Sequence, residues 1–227
     1  KYWLVWLYGT TYNFPTAYVI WNEFPDMELV GVDRLKNWND EKYSRLRYQT
    51  DTKWNNGHLP AQFLSYKEWV GSRPQHEAFA EHITKDPFQT FENLWKVANS
   101  WHKFGRYSSW FYLQALKQCA KVDLDIDSLW LHDYSGSKSH RNGLCYAVAK
   151  DDWVNKRLTR EEILWLEREG KELLIEVKSR FPNVAEKADF FAMETCLCSF
   201  KKLFRKSRGR YLGYYLDRQA EEIKKAE

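Results

Sequence analysis

The densest chemistry in the chain lies in one run, Asp133-Tyr134-Ser135-Gly136-Ser137-Lys138-Ser139-His140-Arg141-Asn142-Gly143. It gathers hydroxyls, two cations, an imidazole and two glycines ahead of an apolar segment that starts at Leu144. A small polar loop of this kind at a helix start can wrap an anion, because backbone N–H groups and the helix dipole converge there. A solvated polar loop is the other reading of the same composition. The run has neither the spacing of a Walker loop nor that of a dinucleotide fingerprint, so a nucleoside triphosphate is not implied. Two further clusters, Tyr8-Gly9-Thr10-Thr11-Tyr12-Asn13 and Gln49-Thr50-Asp51-Thr52-Lys53-Trp54-Asn55, set hydrogen-bond donors beside flat rings. The first of them reads as a polar loop between two aromatic runs.

The elements that must position these residues read as helices. Pro15 suits the first turn of a helix running through Ile20 and Trp21. Asp86-Pro87-Phe88-Gln89 has the form of a capping box, followed by Phe88, Phe91, Leu94, Trp95 and Ala98 at helical spacing. Thr159 with Glu162 forms a second box, after which Ile163, Leu166, Leu173 and Val177 make one apolar stripe. Helices are also expected over 35–48, 61–70, 109–119, 184–200 and 212–223. Only Val122, Leu124 and Ile126 alternate as a strand would, over too short a span to define a sheet. There is no internal repeat and no linker rich in Gly, Ser or Pro. The expectation is an all-α fold, one helical domain spanning 1–227.

Composition narrows the function classes. Aromatic residues make up 17% of the chain and include 12 Trp, which leaves rings for a groove that stacks bases or sugars beyond those needed for packing. Net charge is only +4, so affinity for a polyanion must come from local clusters. No apolar run approaches the roughly 18 residues of a membrane span. Residues 2–8 are too few and too aromatic for a signal peptide, and a cytoplasmic protein is expected. Cys119, Cys145, Cys196 and Cys198 lack zinc-site spacing and are too few for a disulfide scaffold, so reduced thiols are expected. Cys196 and Cys198 stand two apart on an expected helix and face different directions, which argues against a metal or redox role.

Several of these strings resemble one family. Ser109-Trp110-Phe111-Tyr112-Leu113, residues 129–133 and Ser135-Gly136-Ser137-Lys138-Ser139-His140-Arg141-Asn142-Gly143-Leu144-Cys145 are similar to bacteriophage amino acid:DNA transferases, also called alpha-glutamyl/putrescinyl thymine pyrophosphorylases. So are residues 8–13, Trp21-Asn22, Phe24-Pro25-Asp26 and residues 48–55. The resemblance spans roughly residues 2–155. It implies thymine hypermodification in phage DNA, in the host cytoplasm: 5-hydroxymethyluracil carries a pyrophosphate on its hydroxymethyl oxygen, and the amine of an amino acid or polyamine displaces it. It also implies a distant relation to helix-hairpin-helix DNA glycosylases. Residues 135–144 would then occupy the hairpin and Asp151 or Asp152 the place of the catalytic aspartate, although the glycine pattern departs from theirs. The alternatives are a glycosylase-like enzyme that excises a modified base and a non-catalytic DNA-binding module.

A displacement of this kind needs a positioned amine and stabilised departing charge. Under the resemblance, Lys138 and Arg141 are the first choices for pyrophosphate, with Lys53, Ser135 and Ser137 beside them. The amine must attack unprotonated, and Asp51, His140 and Asp133 are the candidate bases, Asp51 foremost. Tyr12, Trp54 and Trp110 are the rings expected to stack a flipped base, with Thr11 and Asn13 beside them. Lys201, Lys202, Arg205, Lys206, Arg208 and Arg210 crowd one segment that would meet duplex phosphates. No resident cofactor is expected beyond a divalent ion such as magnesium, for which Asp123, Asp125 and Asp127 alternate suitably; a solvated edge is the other reading of those acids.

Overall fold

The computed structural model describes residues 1–46, 58–132 and 138–204. The expected helix over 212–223 lies outside them, as do Asp51, Lys53, Trp54, Asp133, Ser135, Ser137, Arg205, Lys206, Arg208 and Arg210. Among the described residues the chain is all-helical, with no strand. It divides into two compact units, residues 1–125 and 126–227.

The first unit holds α1 (Tyr2–Thr11), α2 (Phe14–Glu23), α3 (Val32–Lys42), α4 (Leu59–Val70), α5 (Gln75–Ala80), α6 (Pro87–Ser100) and α7 (Arg106–Ala115). Its core is aromatic. Trp6 is fully buried and stacks on Tyr66 at 4.9 Å, and Trp101 meets Tyr66 edge-on at 5.0 Å. Offset and edge-to-face pairs of this kind add to the gain from burying large rings.

The polar stretch 8–11, expected as a loop, is the last part of α1. Gly9 lets α7 approach so closely that a Cβ there would lie 2.8 Å from Tyr112 Cβ. The threonines are satisfied inside: Thr10 Oγ1 donates to Gln62 Oε1 at 3.0 Å and Thr11 Oγ1 to the Leu7 carbonyl at 2.8 Å. Tyr12 then takes a left-handed φ of 47°, and Asn13 caps α2 by accepting from the Thr16 amide at 3.0 Å. Pro15 sits in the first turn of α2, as expected. At α6 Asp86 accepts from the Phe88 amide, but Gln89 bonds Asn93 and does not reach back, so the expected box is a simple N-cap. Phe91, Leu94, Trp95 and Ala98 are buried and Phe88 is exposed. Val122, Leu124 and Ile126 are buried without joining a strand.

The second unit contains α8 (Ser139–Ala147), α9 (Arg160–Arg180) and α10 (Phe190–Phe200). Thr159 and Glu162 form the full capping box expected at the start of α9. Its fully buried stripe is Ile163, Leu166, Gly170 and Leu174. Leu173 and Val177 are only half-buried, because they line an apolar groove of about 670 Å³ together with Val184, Ala192, Met193 and Phe200. Glu167 accepts from the amides of Leu129 and Leu131, which fixes the segment ahead of α8 around a left-handed Trp130. The helix expected over 184–200 begins only at Phe190, where Asp189 accepts from the Ala192 amide; Pro182–Val184 forms a separate 3-10 turn. No helix of the described residues is long and apolar enough to cross a membrane.

Candidate active site at the start of helix α8

Residues 139–143, expected as part of a polar loop, begin α8. Asn and Gly are poor helix formers, so propensity argues against a helix here. Packing against α10 overrides it. A Cβ on Gly143 would stand 2.1 Å from the Leu197 carbonyl oxygen, so only glycine permits this approach of the two helices. One turn earlier on α8, His140 is thereby brought against Glu194, and Cys198 lies one turn beyond Glu194 on α10.

Three ionisable side chains converge inside this crossing. His140 Nδ1 lies 3.4 Å from Glu194 Oε1, with both side chains at most 5% exposed. Cys198 Sγ donates to the same Glu194 oxygen at 3.5 Å. The ligand atoms of all three lie within 4.8 Å of one another. Burial first, and then the neighbouring Glu194 carboxylate, raise the Cys198 pKa well above that of a free thiol. A buried carboxylate is costly without partners, and both His140 and Cys198 lie against Glu194.

The neighbouring residues of α8 turn to the chain that follows. Arg141, 3% exposed, donates through Nη2 to the Lys156 carbonyl at 3.2 Å. Asn142 and Asn155 bond twice, side chain to side chain at 2.8 Å and the Asn155 amide to Asn142 Oδ1 at 3.1 Å. These contacts hold the turn that carries Asp151 and Asp152, both exposed, with Asp152 facing Lys156. Arg141, a first choice for pyrophosphate, is thus buried and gives one guanidinium N–H to a protein carbonyl inside the unit.

Lys138 is exposed and stands at the N-cap of α8. Lys201, read from the sequence as part of a DNA-binding run, donates through Nζ to Ser139 Oγ at 3.0 Å. The start of α8 therefore carries two lysines and a hydroxyl at a helix N-terminus. Charge-assisted hydrogen bonds and the helix dipole both favour a phosphate there. Lys202 is half-buried on the same turn as Lys201. The groove between α9 and α10 is lined mainly by hydrocarbon, with Lys187 among its lining residues.

The remaining sequence candidates fall in the first unit. Trp110 is 1% exposed and lies under the Arg106 guanidinium at 5.0 Å, so it is part of the core. Thr11 and Asn13 are buried at the α1–α2 corner, where both serve the local hydrogen bonding described above. Tyr12 is half-buried among Tyr8, Tyr107 and Phe111, with ring centroids 5.7, 5.4 and 4.0 Å away. The sequence reading missed Phe14 and Tyr18, 57% and 48% exposed, which line up with Trp21 along one side of α2. Their i, i+4, i+7 spacing was the available signal. Among the alternating acids, Asp125 faces Lys117 at 2.8 Å and Asp127 faces Lys171 at 3.5 Å. All four cysteines are free.

The described residues form a helical scaffold with Lys138, Ser139 and Lys201 at the start of α8 and three ionisable groups buried at its crossing with α10. The chain belongs to the amino acid:DNA transferase family, whose profile matches residues 1–209. It is 29% identical over 237 aligned positions to a serinyltransferase of Salmonella phage ViI, an alignment covering 98% of this chain and 58% of that protein. The chain thus spans under two thirds of the length of the curated relative it matches. No solved structure gives a significant match.

Proposed function

We propose that the chain transfers the amine of an amino acid or polyamine onto the 5-methylene of pyrophosphorylated 5-hydroxymethyluracil in double-stranded DNA, releasing pyrophosphate. The family assignment supports transfer to DNA. The observation that carries the site reading is the Lys201–Ser139 hydrogen bond at the start of α8, whose N-cap residue is the exposed Lys138. In the reaction the amine nitrogen forms a bond to the methylene carbon while the carbon–oxygen bond to pyrophosphate breaks, and the leaving group takes the electron pair. Lys138, Lys201 and the first amides of α8 stabilise the charge that grows on that oxygen and its phosphates. The nitrogen loses a proton to a base, and Asp51 is our candidate. His140 is buried behind the helix start and acts there as a positioning residue. The exposed rings Phe14 and Tyr18, with the half-buried Tyr12, give the first unit a surface on which bases can stack.

The test is nucleoside mass spectrometry after incubating the chain with duplex DNA that carries the pyrophosphorylated base and a panel of amino acids and putrescine. Transfer leaves a base heavier than 5-hydroxymethyluracil by the amine residue and equimolar pyrophosphate in solution. An abasic site would mean excision, and an unchanged base that remains bound would mean a binding module.

A further inference from the structure

We propose that His140, Glu194 and Cys198 form a zinc site that joins α8 to α10. The three residues supply an imidazole nitrogen, a carboxylate oxygen and a sulfur, all within 4.8 Å of one another. Zinc held at its usual bond lengths in a tetrahedron separates a nitrogen and an oxygen ligand by roughly 3.4 Å, and a sulfur and an oxygen by roughly 3.6 Å. The structure has 3.4 Å between His140 Nδ1 and Glu194 Oε1, and 3.5 Å between Cys198 Sγ and the same oxygen. A charge-assisted N–H to carboxylate bond closes to about 2.7–2.9 Å, so the His–Glu spacing is that of two ligands of one ion more than that of an ion pair.

The charges also balance. A dication with one thiolate, one carboxylate and one neutral imidazole is a neutral unit, which suits an interior where His140 and Glu194 are nearly inaccessible. The soft sulfur with an imidazole selects zinc over magnesium or calcium, which take oxygen shells. Binding drives the Cys198 proton into solvent, because a coordinated thiol is deprotonated. Three protein ligands leave the fourth position to water or another small donor, as at catalytic zinc sites. The crossing at Gly143 holds the two helices at this separation with or without the ion. This gives the polar residues of α8 a role the sequence alone did not suggest, since Glu194 and Cys198 belong to a distant helix.

The test uses the full chain, stripped with chelator and titrated with zinc alone. One zinc per chain by elemental analysis, with a rise in melting temperature on binding, is expected. Cys198→Ser should weaken zinc binding by at least about ten-fold, as should Glu194→Gln. Cobalt loaded in place of zinc should give a thiolate-to-cobalt absorption band in the near ultraviolet that persists in Cys196→Ser and disappears in Cys198→Ser. A chain that takes up no zinc, or that binds it equally well as Cys198→Ser, overturns the site. Should Cys198→Ser fail to fold, the parent spectrum decides: cobalt bound without a thiolate band overturns the site as well.

Discussion

The two units bury polar residues in different ways: apart from Arg106 the first buries neutral groups, whereas the second buries His140, Arg141 and Glu194 on two crossing helices. In the first unit the buried polar side chains at the α1–α2 corner are hydroxyls and an amide: Thr10, Thr11, Asn13 and Thr16. Thr11 and Asn13 find partners within four residues of themselves, and Thr10 finds a neutral amide. Neutral groups satisfied close by cost little, and their effect is to end one helix and start the next. In the second unit the buried polar residues are His140, Arg141, Asn142 and Glu194. Three of these are ionisable, and their burial carries a desolvation cost that packing alone does not require. Clusters of that kind are found where a protein needs reactivity or a bound ion.

The sharpest way to break this contrast is at Gly143. Gly143→Ala pushes a methyl into the Leu197 carbonyl, which is backbone and cannot rotate away. We expect destabilisation at or above the top of the usual overpacking range, about 3 kcal/mol, read as a fall in melting temperature. Gly105→Ala, with nothing within 4 Å of the added Cβ, should stay near the parent. Equal effects would show that the α8–α10 crossing is looser than the structure has it.

Glu194→Ala comes next. It leaves His140 in the interior without its carboxylate, and breaking a buried pair from one side costs about 3 kcal/mol. Thr11→Val in the first unit removes a hydroxyl bonded to the neutral backbone of Leu7 and Asn13 and should cost only about 1 kcal/mol. Denaturant unfolding of the two variants orders them directly. A larger loss for Thr11→Val would reverse the comparison between the units.

How far the fold could be read in advance follows the same division. The α9 start was legible because Thr159 and Glu162 satisfy each other within one turn, and the Asp86 cap was legible for the same local reason. Residues 8–11 and 139–143 were misread as loops because glycine and polar side chains lower helix propensity, whereas a neighbouring helix decides the outcome there. Gly9 and Gly143 are the points of contact, and nothing within either segment reveals the partner. Lys138 was legible as an exposed cation. The joining of Lys201 to Ser139, and of Glu194 and Cys198 to His140, depends on α10 crossing α8, which no spacing along the chain encodes.

A smaller effect separates α8 from its surroundings by pH. Burial raises the Cys145 thiol from 9.0 to about 11. The folded state therefore keeps that proton longer than the unfolded chain. The associated stability is fully present below pH 9 and is lost as pH rises towards 11. Cys145→Ala should flatten this alkaline loss in a melting-temperature profile; an unchanged profile would assign it to other groups. Smaller still, Lys202→Gln should change the slope of log DNA affinity against log salt by about one unit if Lys202 meets a phosphate, and an unchanged slope would remove it from the DNA surface.

The central claim is that the start of α8 binds the leaving pyrophosphate. Single-turnover pyrophosphate release from DNA carrying the pyrophosphorylated base tests it most directly, in Lys138→Ala and Lys201→Ala chains whose melting temperatures match the parent. The account predicts at least about a ten-fold fall in the bound-state rate for each variant, because each cation acts on charge that develops in the transition state. Rates equal to the parent's in both variants would contradict it.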